Sequence, residues 1–172
     1  MSKFYLIIFL LLTGASVFAQ DTTTAPVLNK SNRIILHFTD TAGKFTQLAR
    51  ILVDRGYDIE MKDRELGVLR TKPGALRGGN SFFDQVEIKT VFRDSTITFS
   101  AVSYTESTGN DFVRYKIIYE VFYSKKPHRN VMLSWEEMVK IAEVLKPAFI
   151  TYSTNDVSVK PPKVESWYKR NN

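Results

Sequence analysis

Cysteine is absent from the 172 residues. No disulfide framework, thiolate nucleophile or cysteine-held metal can form, and a lipid anchor on an N-terminal cysteine is excluded with them. Histidine is almost as scarce, with two in the chain. His37 sits in an apolar run between Leu36 and Phe38, and His128 sits in the basic loop Lys126-Pro127-His128-Arg129. Neither has a second histidine at helical spacing or an acidic cluster beside it, so the pair makes no zinc site alone. No Gly-x-Ser-x-Gly elbow accompanies them. A core His37 and a solvated His128 are the expected roles. Glu136 and Glu137 are adjacent rather than opposed, which does not suit a glycosidase pair. The glycine-containing stretch Lys72–Asn80 lacks the Gly-Lys-Ser/Thr ending of a phosphate loop. The chain is therefore expected to be non-catalytic, with no cofactor and no metal.

Long apolar runs are also missing. The longest, Phe4–Leu12, falls well short of the ~20 residues a membrane-spanning helix needs. It stands in a different pattern. Met1-Ser2-Lys3 precedes it and Thr13-Gly14-Ala15-Ser16-Val17-Phe18-Ala19 comes after it, the basic start and small-residue exit of a signal peptide. Residues 1–19 are read as that leader, with cleavage before Gln20, and no transmembrane segment is expected in the mature chain. An exported chain without cysteine fits the periplasm of a Gram-negative bacterium, where the core must supply the stability. Removing the leader leaves 153 of the 172 residues, enough for one domain.

Acids are outnumbered, with 18 Asp and Glu against 24 Lys and Arg, and the formal net charge is +6. Such a protein in an envelope could meet anionic lipid or polymer. The same charge also keeps a small domain soluble, and no dense basic run marks a site. Basic residues and aromatics interleave at Arg114-Tyr115-Lys116, but successive strand residues point to opposite faces, so no stacking platform for nucleic acid results.

What is present is a run of alternating segments. Residues 20–32 are polar and read as a flexible lead-in. Arg33–Thr39 reads as a strand, with Asp40 or Thr41 capping the helix behind it. Phe45, Leu48, Ala49 and Leu52 recur on one helical face, and Gly56 closes it. Tyr57–Lys62 and Val68–Thr71 read as strands around the turn Asp63–Gly67. Residues 86–92, 97–101 and 113–123 alternate apolar and polar and predict a three-strand meander. Ser134 and Glu137 have the spacing of a capping box for a second helix, with Met138, Ile141, Ala142 and Leu145 on its buried face and Pro147 at its end. The order is β-α-β-β-β-β-β-α over residues 33–152. The expected fold is α+β, a single antiparallel sheet with two helices packed on one face. The opposite face, carrying Lys89, Thr98, Ser100, Arg114, Lys116 and Glu120, should be wet. Residues 153–172 read as a polar C-terminal tail.

The segment Leu48–Ile59, the hairpin Met61–Thr71, the pair Gly56-Tyr57 and the turn from Asp63 to Gly67 together resemble small envelope domains of the helix-grip or TATA-binding-protein-like kind. Such domains occur in the accessory lipoprotein of the outer-membrane β-barrel assembly machine. The resemblance implies a fold over Arg33 to about Pro147 and no active site, since its residues are a cap, a turn and an apolar face. This chain lacks that lipoprotein's lipidated cysteine.

Few residues stand out as candidate contacts. Arg77 could hold an anion in its glycine-rich loop. Tyr115, Tyr119 and Tyr123 share a strand face, either as packing under the helices or as the lining of an apolar cavity. Trp167 and Tyr168 beside Lys169 and Arg170 suit a partner surface or a membrane interface, unless Trp167 folds back onto the domain. The expected function is a secreted binding or interaction domain that contacts another cell-envelope protein. The alternative is a carrier or sensor holding a small apolar ligand between sheet and helix.

Overall fold

A computed structural model describes residues 22–78, 84–108, 113–124, 129–154 and 163–168, and of these it gives 107–108, 113–115 and 163–168 by their backbone alone. The leader with its cleavage position, His128, and the Pro161-Pro162 and Lys169-Arg170 pairs lie outside the described residues. The strands are β1 (Thr22–Thr23), β2 (Arg33–His37), β3 (Ile59–Asp63), β4 (Val68–Thr71), β5 (Gly74–Ala75), β6 (Asp84–Arg93), β7 (Thr96–Thr108), β8 (Val113–Glu120), β9 (Phe149–Ser153) and β10 (Lys163–Tyr168). The helices are α1 (Lys44–Asp54) and α2 (Arg129–Val144). Among the described residues the class is α+β, with one antiparallel sheet and two helices.

β7 organises the sheet. One of its edges pairs with β6 from Thr96 to Thr105. Its other edge is shared: β2 takes Thr96–Phe99 and β8 takes Val102–Thr108. Beyond β2 stand β9 and β1, beyond β6 stand β4 and β3, and β10 lies outside β8. Where β2 and β8 meet end to end, Asn32 Nδ2 donates to Glu120 Oε1 at 2.8 Å and the Tyr123 amide donates to the Ser31 carbonyl at 2.7 Å.

Period-two alternation decides which residues face the helices. Ile34, Leu36, Leu69, Val86, Ile88, Ile97 and Phe99 are fully or almost fully buried on one face. They form one cluster with Leu48, Ala49 and Leu52 of α1 and with Trp135, Met138, Ile141 and Ala142 of α2. Both helices therefore cover the same face. At the far end Asn130 Nδ2 donates to Asp84 Oδ1 and Thr105 Oγ1, both at 2.7 Å, tying the first turn of α2 to β6 and β7.

α1 ends as its sequence predicts. Gly56 takes φ 88°, its amide donates to the Val53 carbonyl, and the Tyr57 amide donates to the Leu52 carbonyl, the paired bonds of a Schellman motif. The start differs. Gly43 at φ 74° occupies the N-cap without a side-chain bond, and Asp40 Oδ1 instead accepts from the Ala42 amide at 2.7 Å, too early in the chain to cap. In the β3–β4 turn Asp63 Oδ1 accepts from the Leu66 amide, and Gly67 at φ 62° lies so close to the Phe92 carbonyl that an added Cβ would approach its oxygen to 2.6 Å.

The expected capping box of α2 is not one. The helix begins at Arg129, five residues before Ser134, so Ser134 and Glu137 are interior and buried. Glu137 serves elsewhere. Arg55 Nε and Nη2 each donate to its carboxylate at 2.8 Å, joining the C-terminus of α1 to the middle of α2.

Strand content also exceeds the sequence reading. β7 continues through Thr105–Thr108, beyond the alternating segment 97–101, because β6 and β8 supply partners along its length. In the lead-in, Thr22 and Thr23 pair with β9, and Ser31 and Asn32 are buried at the β2–β8 junction. In the polar tail, Lys163–Tyr168 pairs with β8 over six register positions. Such short polar strands are held by the ladder bonds of a neighbour, which local periodicity does not encode.

Candidate functional site

The uncovered face of the sheet is where the described residues form an open groove, of about 230 Å³, lined by Arg33, Lys89, Val91, Arg93, Thr98 and Ser100. Its geometry comes from register. Lys89 pairs with Ser100, and Val91 pairs with Thr98. Ile35 pairs with Thr98 on the other side, which sets Arg33 opposite Ser100 in the next position. Thr98 and Ser100 thus form the floor on β7, with Arg33 on the β2 side and Lys89 and Arg93 on the β6 side. The Arg33 and Lys89 backbones lie two strand spacings apart, about 10 Å, and Lys89 and Arg93 are about 13 Å apart along β6.

Electrostatics separate this groove from the rest of the same face. Among the described residues, the side chains of Arg33, Lys89 and Arg93 have no carboxylate partner and no hydrogen bond. Arg70, opposite Lys89 in the β4–β6 register, and several charges in the rows beyond have partners instead. Glu87 accepts from the Tyr104 hydroxyl at 2.6 Å and lies 3.6 Å from Arg70, Arg70 also pairs with Glu60, and Lys116 stands over the Tyr104 ring. Burial and the Glu87 hydrogen bond raise the Tyr104 pKa, and the Glu60 hydrogen bond raises that of Arg70. The unpaired cations are available to a ligand and the paired ones are not.

At the opposite border, Phe149 of β9 pairs with His37 of β2, and their rings stack at 4.2 Å with 11° between planes. His37 Nε2 lies 2.9 Å from Thr151 Oγ1. His37 is thus a half-buried stacking residue at the border of the open face. Phe149 stays 57% exposed. The register His37–Thr96–Arg93 places this stack in the same row as the last cation of the groove.

The residues singled out from sequence fall elsewhere. Tyr119 pairs with Ser103, which is buried, so the 117 and 119 positions of β8 lie on the helix-covered face. Tyr123 lies beyond β8 and packs its ring 5.9 Å from Trp135, which in turn faces Tyr152 at 6.0 Å. For Tyr123 packing is the observed role. Arg77 is exposed, and its Nη2 donates to the Arg55 carbonyl at 3.3 Å. Tyr115 stands opposite Ser166, Trp167 opposite Arg114 and Tyr168 opposite Val113 in the β8–β10 register, and their side chains lie outside the described residues. Sequence reasoning placed Lys89, Thr98 and Ser100 on the wet face but did not single out Arg33, Arg93 or Phe149. Strand parity carries the signal once β2 and β9 are known to share β7's sheet.

Tyr57 is a buried polar side chain on the helix-covered side. Tyr57 is 2% exposed, and its hydroxyl is buried without a hydrogen-bond partner. Burial first, and then the Glu137 charge, raise its pKa well above the ordinary tyrosine value. That makes it a poor proton donor or nucleophile at neutral pH. The Glu137 hydrogen bond likewise raises the Arg55 pKa, so that ion pair stays charged.

Among the described residues no three acidic or histidine side chains gather as a metal site, and no helix is long and apolar enough to cross a membrane. No protein family, curated protein or solved structure matches the chain.

Proposed function

We propose that this chain is a non-catalytic binding domain of the bacterial envelope that engages an anionic envelope component through the open face of its sheet. The observation that carries the reading is the set of unpartnered cations, Arg33, Lys89 and Arg93, around the Thr98 and Ser100 hydroxyls. Unpaired like charges held on a rigid sheet repel one another, and an anion relieves that repulsion. Strands β2, β7 and β6 hold the positions in advance, so little ordering is needed on binding. The leader pattern supports export, and the α+β class with one antiparallel sheet is compatible with a helix-grip or TATA-binding-protein-like domain. The apolar-carrier alternative has less support, because the tyrosine row that suggested it contributes Tyr123 to ring packing on Trp135.

Fluorescence anisotropy with labelled long-chain polyphosphate and poly-glutamate tests the reading. Binding to at least one polymer, weakening with salt and abolished by the combined Arg33→Glu, Lys89→Glu and Arg93→Glu substitutions, is the expected result. Binding that survives the triple reversal, or no binding to either polymer, overturns it.

A further inference from the structure

Resting on that reading, we infer that the anionic partner is a membrane surface rich in phosphate headgroups, with Phe149 entering the interface beside the cations. Three observations point there. First, the cations occupy β2 and β6, on either side of β7, and all three are interior strands. Their amides and carbonyls are spent in ladders with neighbours on both sides. An acidic peptide laid on this face would find no backbone partners, which is what strand addition at a sheet edge requires. A phosphate group needs only cations and hydroxyls, and arginine forks with Thr98 and Ser100 supply both.

Second, the cations are spread over the face rather than gathered at one point. Arg33 and Lys89 are separated by about 10 Å and Lys89 and Arg93 by about 13 Å. A layer of headgroups can meet each of the three cations separately, without drawing their side chains together.

Third, Phe149 provides what a soluble polyanion would not use. It is 57% exposed, and its stack on His37 fixes the ring at the border of the cationic face. An exposed aromatic beside cations suits the boundary between headgroups and acyl chains. Basic side chains near an anionic leaflet contribute about a fivefold gain in affinity each.

Co-sedimentation of the exported protein with phosphatidylglycerol vesicles, with phosphatidylcholine vesicles as the neutral control, tests the inference. The protein is expected to sediment with the first and not the second. Arg33→Gln, Lys89→Gln and Arg93→Gln should each weaken binding about fivefold, and together about a hundredfold. Phe149→Ser should weaken vesicle binding while leaving polyphosphate binding unchanged, and far-ultraviolet circular dichroism should confirm that each variant is folded. Equal binding to both vesicle types, or an unaffected triple variant, overturns the inference. So does a Phe149→Ser variant that binds vesicles like the parent. Failure on vesicles with retained polyphosphate binding assigns the face to a soluble phosphate polymer. Preference for poly-glutamate assigns it to an acidic protein. In both cases the membrane inference fails and the proposed function stands. Failure with every anion removes both.

Discussion

The two faces of this sheet are built from the same strands and do opposite things. On the helix side, Ile34, Leu36, Ile88, Ile97 and Phe99 are fully buried, and the Arg55–Glu137 charge pair is held at 2.8 Å with the glutamate side chain only 3% exposed. On the open side, the neighbours Arg33, Lys89, Thr98 and Ser100 line a groove with no carboxylate among them. A single residue of register separates the two sets. The difference shows where selection for folding ends: a charge inside must be matched, while charges outside can be left unmatched for a partner. Substitutions on the first face should therefore be read in stability, and those on the second in binding.

The contrast breaks most visibly at Ile141. It is completely buried in the core cluster, and Ile141→Asp places an unpaired carboxylate there at a cost of about 4–5 kcal/mol or more, a large share of ordinary domain stability. Lys140→Asp, on the exposed side of the same turn, should stay within about 0.5 kcal/mol. Urea unfolding of the two variants checks the difference, and similar midpoints would show that the helix faces are misassigned. Next in size is Glu137→Ala. It strands Arg55 beside an apolar core, and the loss expected from breaking a buried pair is about 3–5 kcal/mol.

Tyr57 sharpens the same contrast through pH. Its folded-state pKa is raised by burial and by Glu137, so the folded state holds the proton more tightly than the unfolded chain does. Its contribution is complete below the ordinary tyrosine pKa of about 10 and is lost as the pH climbs from there toward the raised value. Stability should fall above pH 10 by about 1.4 kcal/mol per pH unit for this group. Tyr57→Phe should flatten that slope, because it removes the titrating hydroxyl. The smallest effect belongs to the open face. The combined Arg33→Gln, Lys89→Gln and Arg93→Gln variant should melt at or slightly above the parent's midpoint, because like charges near one another are removed. A clear drop by differential scanning calorimetry would mean that those cations hold the fold together.

Much of the fold could be read locally. The stripes of α1 and α2, the Gly56 closure, the Asp63–Gly67 turn and the β6–β8 meander all rest on short-range periodicity and turn chemistry. What escaped depended on distant partners. Ser134 and Glu137 have the spacing of a cap, yet the helix starts earlier and Glu137 is taken by Arg55, 82 positions away in sequence. β1, β5 and β10 are too short or too polar to announce themselves and exist through β9, β6 and β8. The binding face shows the same division. Alternation already put Lys89, Thr98 and Ser100 on the wet side, but Arg33 and Phe149 come from strands 56 and 60 positions from Lys89 in sequence, and only the sheet order brings them to one surface.

Amide chemical-shift mapping during titration with short-chain phosphatidylglycerol tests the central claim most directly, because it reports which face meets the ligand. The expected perturbations centre on Arg33, Lys89, Arg93, Thr98 and Ser100, extend to Phe149, and leave Leu48, Tyr123 and Ile141 unmoved. Perturbations centred on the helix-covered side around Tyr119, Tyr123 and Trp135 would contradict the account and restore the apolar carrier in its place.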